Sequence, residues 1–188
     1  MDTALPPPSP SESPAASAPR RASVRLMFAH PAHLIAFGFG SGLSPWAPGT
    51  VGTLWAWLAY LVLNRWLGEL QWALVIVAAL LVGWWACTKT ARSLGTADPG
   101  AIVWDEVVAF WLVLWLLMPA GLLAQAAAFL LFRFFDAAKP GPVAWADRAF
   151  KSPPGAAPGW RAGFGILFDD LVAALCTLLV IALWRWVG

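Results

Sequence analysis

The sequence predicts an all-α fold, a polytopic membrane protein built as a compact bundle of about four to six helices. Of its 188 residues, 60% are hydrophobic and 12% are charged, about half of the ~25% charged residues typical of soluble domains. Four long stretches contain no charged residue, and the alternation that marks strands is absent. A net charge of +2 is too small to indicate a nucleic-acid partner. The composition therefore indicates a protein that lies in a bilayer.

Residues 1–25 differ in composition from the rest of the chain. Pro, Ser and Ala dominate them, and no apolar periodicity is present. Such a segment buries too little apolar surface to offset the entropy cost of ordering. We therefore expect a disordered tail over 1–25 and a helical membrane domain over 26–188.

The first two charge-free runs each predict one membrane-spanning helix. Gly and Pro residues interrupt the run Leu34–Asn64, so its crossing is predicted over 51–66. The run Leu70–Thr88 is close to the ~20 apolar residues that a bilayer requires. It predicts a second span directly.

The third and fourth charge-free runs predict the remaining helices. Pro119-Ala120-Gly121 interrupts the run Val107–Phe132, and proline breaks a helix. This run predicts either two short helices, over 107–118 and 122–135, or one long kinked helix. The last helix is predicted from Gly165 to Trp184.

Basic residues lie mainly on one side of the predicted spans. They cluster before the first span, after the second and before the last. Only Arg65 and Arg185 fall on the opposite side if the third run crosses twice. Since positive charge collects on the cytoplasmic face, the sequence predicts a multi-pass protein with a cytoplasmic N-terminus. Almost all acidic residues then lie on that same face.

Five carboxylates at the boundaries of apolar runs are the candidate metal ligands. They are Asp105, Glu106, Asp136, Asp169 and Asp170. A charge at such a boundary is costly unless it is paired, hydrated or bound to a cation. Hard carboxylate oxygens with few histidines in the chain suit Mg²⁺ or Mn²⁺. The alternative is that each carboxylate is solvated at the interface and marks the start of a helix.

A spacing of three residues places Arg133, Asp136 and Lys139 on one stripe of a helix. A base, an acid and a base in this order can clamp a phosphate together with its metal. The alternative is an ordinary pair of salt bridges on a solvated helix face.

The segment from Gly38 to Thr53 contains five glycines and several hydroxyl residues ahead of a predicted helix. Backbone N–H groups and hydroxyls in such a segment can bind an anion. The candidate phosphate-binding residues are Ser41, Gly42, Ser44 and Thr50. The segment matches neither the dinucleotide fingerprint nor a P-loop. It can equally be a closely packed helix face or a kinked turn.

Taken together, these motifs make the sequence resemble the phosphatidylglycerophosphatase A family. The matching motifs follow the family's order over roughly residues 30–175. They are His33 with Gly38–Pro45 and Pro48-Gly49-Thr50, then Val103–Glu106, then Arg133–Pro140 with Pro142 and Asp147-Arg148, and finally Gly165-Ile166-Leu167 before Asp169-Asp170. The segment Phe150–Arg161 is longer and richer in Pro than the family's link, and we interpret it as a flexible surface insertion.

The resemblance implies a Mg²⁺-dependent lipid phosphatase that hydrolyses phosphatidylglycerophosphate to phosphatidylglycerol and phosphate. It implies a bacterial inner-membrane location, with the active face on the cytoplasmic side. The five carboxylates then act in catalysis and hold one or two Mg²⁺ ions, with either water or an Asp as the nucleophile. Arg133 and Lys139 neutralise charge, and the Gly-rich segment positions the phosphate. The expected partners are the lipid substrate and the membrane, with no nucleic acid and no obligate protein partner.

Three other classes of protein compete with this interpretation. A small cation-coupled transporter also uses intramembrane carboxylates, but the acids lie at one face and no internal repeat is visible. A non-catalytic assembly subunit fits the small-residue runs and gives no reason for five clustered acids. A phosphatase with a histidine nucleophile is disfavoured because the two histidines, His30 and His33, both precede the first charge-free run.

Overall fold

The computed structural model describes residues 20–151 and 157–187. This part of the chain is helical and contains no strand. Its helices are α1 (Val24–Ala29), α2 (Pro31–Ala36), α3 (Pro48–Leu63), α4 (Glu69–Leu94), α5 (Trp104–Leu117), α6 (Leu122–Ala138), α7 (Pro142–Ala149) and α8 (Trp160–Val187). A 3-10 segment, Gly38–Leu43, joins α2 to α3. The predicted all-α fold is therefore confirmed.

Five of these helices have 14 or more residues and form the bundle, which agrees with the predicted four to six. α8 packs against α4, α5, α6 and α7, and α5 also packs against α3 and α4. α5 is buried along most of its length, with Val107, Phe110 and Leu114 fully inside. α5 is buried because its sequence is apolar on every face, and such a helix is stable only when other helices surround it.

Two helices, α4 and α8, are long and apolar enough to cross a membrane. The third charge-free run forms two helices, α5 and α6, which confirms the first of its two predicted alternatives. The chain breaks between them at Met118–Gly121, as proline requires.

Most helix boundaries differ from the prediction by a few residues, because apolar runs do not mark helix ends. α3 begins at Pro48, three residues before its predicted start, since proline at the first helical position already has a helical φ. α8 begins at Trp160 rather than Gly165. Its first turn includes the charged Arg161, which an apolar pattern leaves outside the helix.

The ordered domain starts earlier than the predicted boundary after residue 25. The Ser23 hydroxyl accepts a hydrogen bond from the Leu26 N–H at 3.2 Å and caps α1. The Arg20 N–H donates to the Leu94 carbonyl at 2.9 Å, which joins this segment to the end of α4. The rest of the predicted tail, residues 1–19, lies outside the described residues. So do residues 152–156 of the predicted insertion.

A glycine lets α8 approach α4 closely. A Cβ atom on Gly163 would lie 2.8 Å from the Thr88 Cβ and 2.9 Å from its Cα, shorter than real Cβ contacts. Helix–helix packing in membranes uses small residues in this way, because lipid supplies no hydrophobic force between helices. The Gly163 contact therefore sets the spacing of the two longest helices.

The Gly163→Ala variant tests this contact, because two effects of opposite sign compete. Helix propensity alone favours alanine by about 1 kcal/mol, whereas overpacking costs about 1–3 kcal/mol. We expect a net loss of stability, measured by thermal unfolding in detergent micelles. Gly100→Ala is the control, because its Cβ meets nothing within 4 Å. A Gly163→Ala protein more stable than wild type would contradict the close contact.

Candidate active site

Three of the predicted carboxylates meet at one end of the bundle. Asp105 and Glu106 lie in the first turn of α5, and Asp170 lies on α8. One ligand oxygen from each of them lies within 4.8 Å of the others. The Val103 N–H donates to the Ala36 carbonyl at 2.9 Å and anchors the start of α5 at this position. We call these three residues the acid cluster.

One oxygen of each carboxylate in the acid cluster lacks a hydrogen-bond partner among the described residues. Asp105 Oδ1, Glu106 Oε2 and Asp170 Oδ2 are buried and accept no hydrogen bond from the described residues. Glu106 is 9% exposed and Asp170 is 3% exposed. A buried carboxylate without a partner is strongly destabilising. Three hard oxygen ligands in this state fit a divalent cation such as Mg²⁺.

Arg133 and Asp136 of α6 lie beside the acid cluster. Arg133 Nη1 forms an ion pair with Asp136 Oδ2, as the three-residue spacing predicts. The same nitrogen lies 3.8 Å from Glu106 Oε1 and donates to Thr53 Oγ1 at 3.4 Å. Asp136 is close enough to Glu106 and Asp170 for the charges to interact. Arg133 Nε is buried without an acceptor among the described residues, so the guanidinium retains a donor for an anion.

Lys139 does not continue the stripe of Arg133 and Asp136. α6 ends at Ala138, and Lys139 adopts the left-handed conformation with φ 45°. This turn directs its ammonium group away from α6 toward α7 and α8. Lys139 Nζ donates to Asp147 Oδ1 at 2.6 Å and to Asp169 Oδ2 at 2.5 Å. The expected base-acid-base stripe is therefore divided between two ion-pair groups.

Asp147 is the centre of the second ion-pair group. It also accepts from Lys151 Nζ at 2.6 Å. Burial alone would raise the pKa of Asp147, but the hydrogen bonds from Lys139 and Lys151 outweigh it and hold the pKa below its ordinary value. Burial likewise opposes the charge of Lys139, yet its bonds to Asp147 and Asp169 raise the pKa of Lys139 above its ordinary value. Both groups are charged at neutral pH.

Asp169 and Asp170 are neighbours in sequence but belong to different groups. Adjacent residues of a helix point ~100° apart, so Asp170 faces the acid cluster while Asp169 faces Lys139. Asp169 is not one of the three residues grouped around a cation position. Its role as a metal ligand stays a prediction.

The hydroxyls of the Gly-rich segment bond within the segment itself. Ser41 Oγ donates to the Gly38 carbonyl and Ser44 Oγ to the Trp46 carbonyl, each at 2.8 Å. Ser44 and Gly42 line a groove whose described lining includes none of the five carboxylates. Thr50 lies half-buried in the first turn of α3. The phosphate-binding role of these residues stays a prediction.

The Gly-rich segment reaches the acid cluster at a different residue, Gly49. A Cβ on Gly49 would overlap Glu106 Oε1 and would lie 3.1 Å from Arg133 Nη2. The N-terminal turn of α3 therefore faces Glu106 and Arg133 directly. Sequence reasoning missed Gly49 as a site residue. The signal that could have found it is the Pro48-Gly49 pair, which begins a helix without a side chain in the way.

Sequence reasoning also left Asp147 out of the candidate site residues. Asp147 lies eight residues after Lys139, and Pro140 and Pro142 stand between them. The two residues therefore do not share one helix, and helical periodicity cannot relate their side chains. The available signal was the Asp147-Arg148 pair inside the matching family motif. Only the turn between α6 and α7 brings the two side chains together.

The fold and the site together define a class of protein. It is a helical protein with apolar helices long enough to cross a membrane, and it carries a buried carboxylate cluster beside an arginine at one end. Comparison with known proteins then identifies the family. The family model described as phosphatidylglycerophosphatase A matches residues 34–185, and the chain belongs to this family.

Relatives agree with this family over most of their length. The chain is 38% identical to phosphatidylglycerophosphatase A of Escherichia coli, over 82% of this chain and 83% of that protein. It is 36% identical to phosphatidylglycerophosphatase A of Haemophilus influenzae, over 86% and 94%. A Bacteroides thetaiotaomicron protein, described provisionally as a phosphatidylinositol-3-phosphatase, is 36% identical over 82% and 93%. No solved structure matches the chain.

Family membership decides between the classes that the sequence left open. The chain is a phosphatase, a phosphoric monoester hydrolase, and these comparisons give no support to the transporter alternative. The head groups named for the relatives differ, since one name refers to glycerophosphate and another to inositol phosphate. Membership of the family therefore identifies the class of reaction, and it identifies the head group of the substrate less closely.

Asp147→Asn tests the second ion-pair group. Lys151 loses its partner and Lys139 keeps only Asp169, so we expect a loss of about 1–3 kcal/mol in unfolding free energy at pH 7. Because the folded pKa of Asp147 lies below its ordinary value, this stability is present above about pH 4 and is lost as pH falls further. The measurement is denaturant unfolding in detergent at pH 7 and at pH 2.

The control for Asp147→Asn is Asp98→Asn, which removes an exposed carboxylate that lines one cavity together with Asp147. We expect Asp98→Asn to change stability little at either pH. Equal losses in the two variants, or a difference between Asp147→Asn and wild type that persists at pH 2, would contradict the ion-pair assignment.

Proposed function

We propose that the chain is a Mg²⁺-dependent lipid phosphatase that hydrolyses phosphatidylglycerophosphate to phosphatidylglycerol and inorganic phosphate. The observation that carries the proposal is the acid cluster of Asp105, Glu106 and Asp170, in which each carboxylate has one buried oxygen without a hydrogen-bond partner, beside Arg133. Membership of the phosphatidylglycerophosphatase A family supports the substrate, since relatives from two bacteria bear that name.

The carboxylates of the acid cluster are the residues that would hold Mg²⁺. A bound Mg²⁺ supplies charge neutralisation at the phosphate and activation of a water molecule. Asp136 stays outside this group of ligands, because its ion pair holds the Arg133 guanidinium toward Glu106. Asp169 binds the Lys139 ammonium group instead of the metal ion. This division assigns the ligand role to fewer carboxylates than the five predicted from the sequence.

Binding of the phosphate falls to Arg133 and the first turn of α3. The buried Arg133 Nε lacks an acceptor, and a phosphate oxygen is the acceptor that a guanidinium fits best. Gly49 and Thr50 lie in the first turn of α3, where backbone N–H groups have no helical acceptor. Phosphate monoester hydrolysis is very slow without a catalyst, so such preorganised positive groups carry much of the rate enhancement.

The exposed residues support a location in the membrane. Leucines project from the bundle on α3, α4 and α8, including Leu58, Leu74 and Leu179, each at least 60% exposed. Exposed apolar surface of this extent is stable in lipid rather than in water. Basic residues favour a cytoplasmic site in the bacterial inner membrane, as the loop charges predict. Multiple crossings allow the acid cluster to lie where a lipid head group leaves the hydrocarbon.

Removal of the divalent ion tests the metal requirement. We expect the purified protein to release inorganic phosphate from phosphatidylglycerophosphate in mixed micelles, to lose this activity in EDTA and to regain it with excess Mg²⁺. Ca²⁺ at the same concentration is the control, because its larger size and looser geometry fit catalysis of this kind poorly. Full activity in EDTA after exhaustive dialysis would overturn the metal role.

Asp170→Asn tests the acid cluster at one residue. The amide removes a negative ligand and preserves the shape of the side chain, so we expect membrane insertion to persist and phosphate release to fall by about 10²–10³-fold. Glu69→Gln is the matched control, because Glu69 is an exposed carboxylate at the start of α4. Wild-type turnover of Asp170→Asn at saturating Mg²⁺ would remove Asp170 from the site.

A further inference from the structure

An apolar groove runs along the outside of the bundle between α3 and α5, with a volume of about 470 Å³. One face of α3 forms its first wall. The α3 residues are Trp55, Leu58, Ala59, Val62 and Leu63, at the i, i+3, i+4, i+7 and i+8 spacing of a single helical stripe. Trp104 and Trp111 of α5 form the opposite wall.

One end of this groove, which we call its upper end, lies at the same end of the bundle as the candidate active site. Trp104 immediately precedes Asp105 of the acid cluster. Phe39, from the segment before α3, stacks on Trp55 with ring centroids 5.3 Å apart and meets the edge of Trp104 at 6.1 Å. The apolar groove therefore begins one residue, in the sequence, before the carboxylates.

The groove runs along the axis of the bundle, away from the end that carries the acid cluster. α3 and α5 begin at the same end, since Gly49 lies against Glu106 and Trp111 Nε1 donates to the Ala56 carbonyl at 2.9 Å. From Pro48, the first residue of α3, Leu63 is 15 residues further, about 22 Å along the helix. The groove thus follows the direction in which hydrocarbon extends from a head group.

Phe39 adopts a conformation that non-glycine residues rarely adopt. Its φ is 55° and its ψ is 29°, between Gly38 and Gly40, which also have positive φ. Half of its surface is exposed. Backbone strain of this kind persists where a side chain must be held at a functional position. Here it holds an aromatic ring over the upper end of the groove.

We propose that this groove binds one acyl chain of the lipid substrate while the phosphate lies at the acid cluster. The inference rests on the proposed function, because it assigns the hydrocarbon part of the same substrate. Its start at the same end of the bundle as the acid cluster distinguishes it from two other apolar grooves, of about 510 and 620 Å³, which both border Arg185. Arg185 is 15 residues beyond Asp170 on α8, about 22 Å from the carboxylates.

Chain-length selectivity tests the groove. The Ala59→Trp variant fills it, and the matched control Ala127→Trp fills one of the grooves beside Arg185. The probes are phosphatidylglycerophosphate with dioleoyl chains and the same lipid with dihexanoyl chains. For Ala59→Trp we expect kcat/KM to fall about tenfold for the dioleoyl lipid, through KM, and to change little for the dihexanoyl lipid. Ala127→Trp should affect the two lipids equally.

Two outcomes of this kinetic test overturn the inference. One is an unchanged dioleoyl-to-dihexanoyl ratio in Ala59→Trp, and the other is an equal change of that ratio in Ala127→Trp. If Ala59→Trp does not fold, Leu58→Trp takes its place, because Leu58 is 63% exposed and a larger side chain there needs no repacking of the core. Both variants narrow the same groove.

Photolabelling separates this inference from the proposed function. Phosphatidylglycerol with a diazirine at the end of one acyl chain is irradiated with the wild-type protein, and labelled residues are mapped by mass spectrometry. We expect more label on α3 and α5 than on the residues of α6 and α8 that line the other grooves, whether or not the protein releases phosphate. Uniform label overturns the acyl-chain site. Inactive wild-type protein with selective label contradicts the phosphatase and leaves the groove assigned.

Discussion

The structure depends on an unbalanced charge inside an apolar bundle. Asp105, Glu106, Asp136 and Asp170 lie close together, and Arg133 is the single cation that an ion pair or a close approach brings to them among the described residues. Coulomb repulsion between carboxylates at such distances is large where water is scarce. The cluster is stable in its ionised form only with additional positive charge. A divalent cation such as Mg²⁺ fits this requirement, because its preferred ligands are hard oxygens.

Small residues allow the helices to bring these charges together. Gly49 lies against Glu106, Gly52 against Val103, and Gly83 against the Trp104 ring. In each case a Cβ would collide with α5 or with the residue before it, so α3 and α4 approach the start of α5 only because these positions lack side chains. The first turn of α5 is therefore enclosed on several sides. Enclosure excludes water and strengthens every electrostatic interaction at the acid cluster.

The sequence predicted the long helices better than the arrangement of the site. Charge-free runs locate α4, α5 and α6 because apolar composition and Pro119 act locally, within one element. The stripe of Arg133, Asp136 and Lys139 failed at its last member, because the prediction assumed that the helix continues through Lys139. The chain instead turns left-handed there. Which groups Lys139 meets depends on α7 and α8, and no local pattern encodes a contact with Asp169 thirty residues away.

Asp169 and Asp170 are neighbours in sequence, so the ion-pair group around Asp147 is connected to the acid cluster through α8. Lys139 joins Asp169 of α8 to Asp147 of α7, and Lys151, which is 61% exposed, extends the group to the surface. A helix cannot rotate about its axis without moving both Asp169 and Asp170, so the bond between Lys139 and Asp169 contributes to the rotation of α8, together with its packing against α4, α5, α6 and α7. That rotation directs Asp170 toward Asp105 and Glu106. The ion pairs at the edge of the bundle thus hold a buried carboxylate in a position that its own charge opposes.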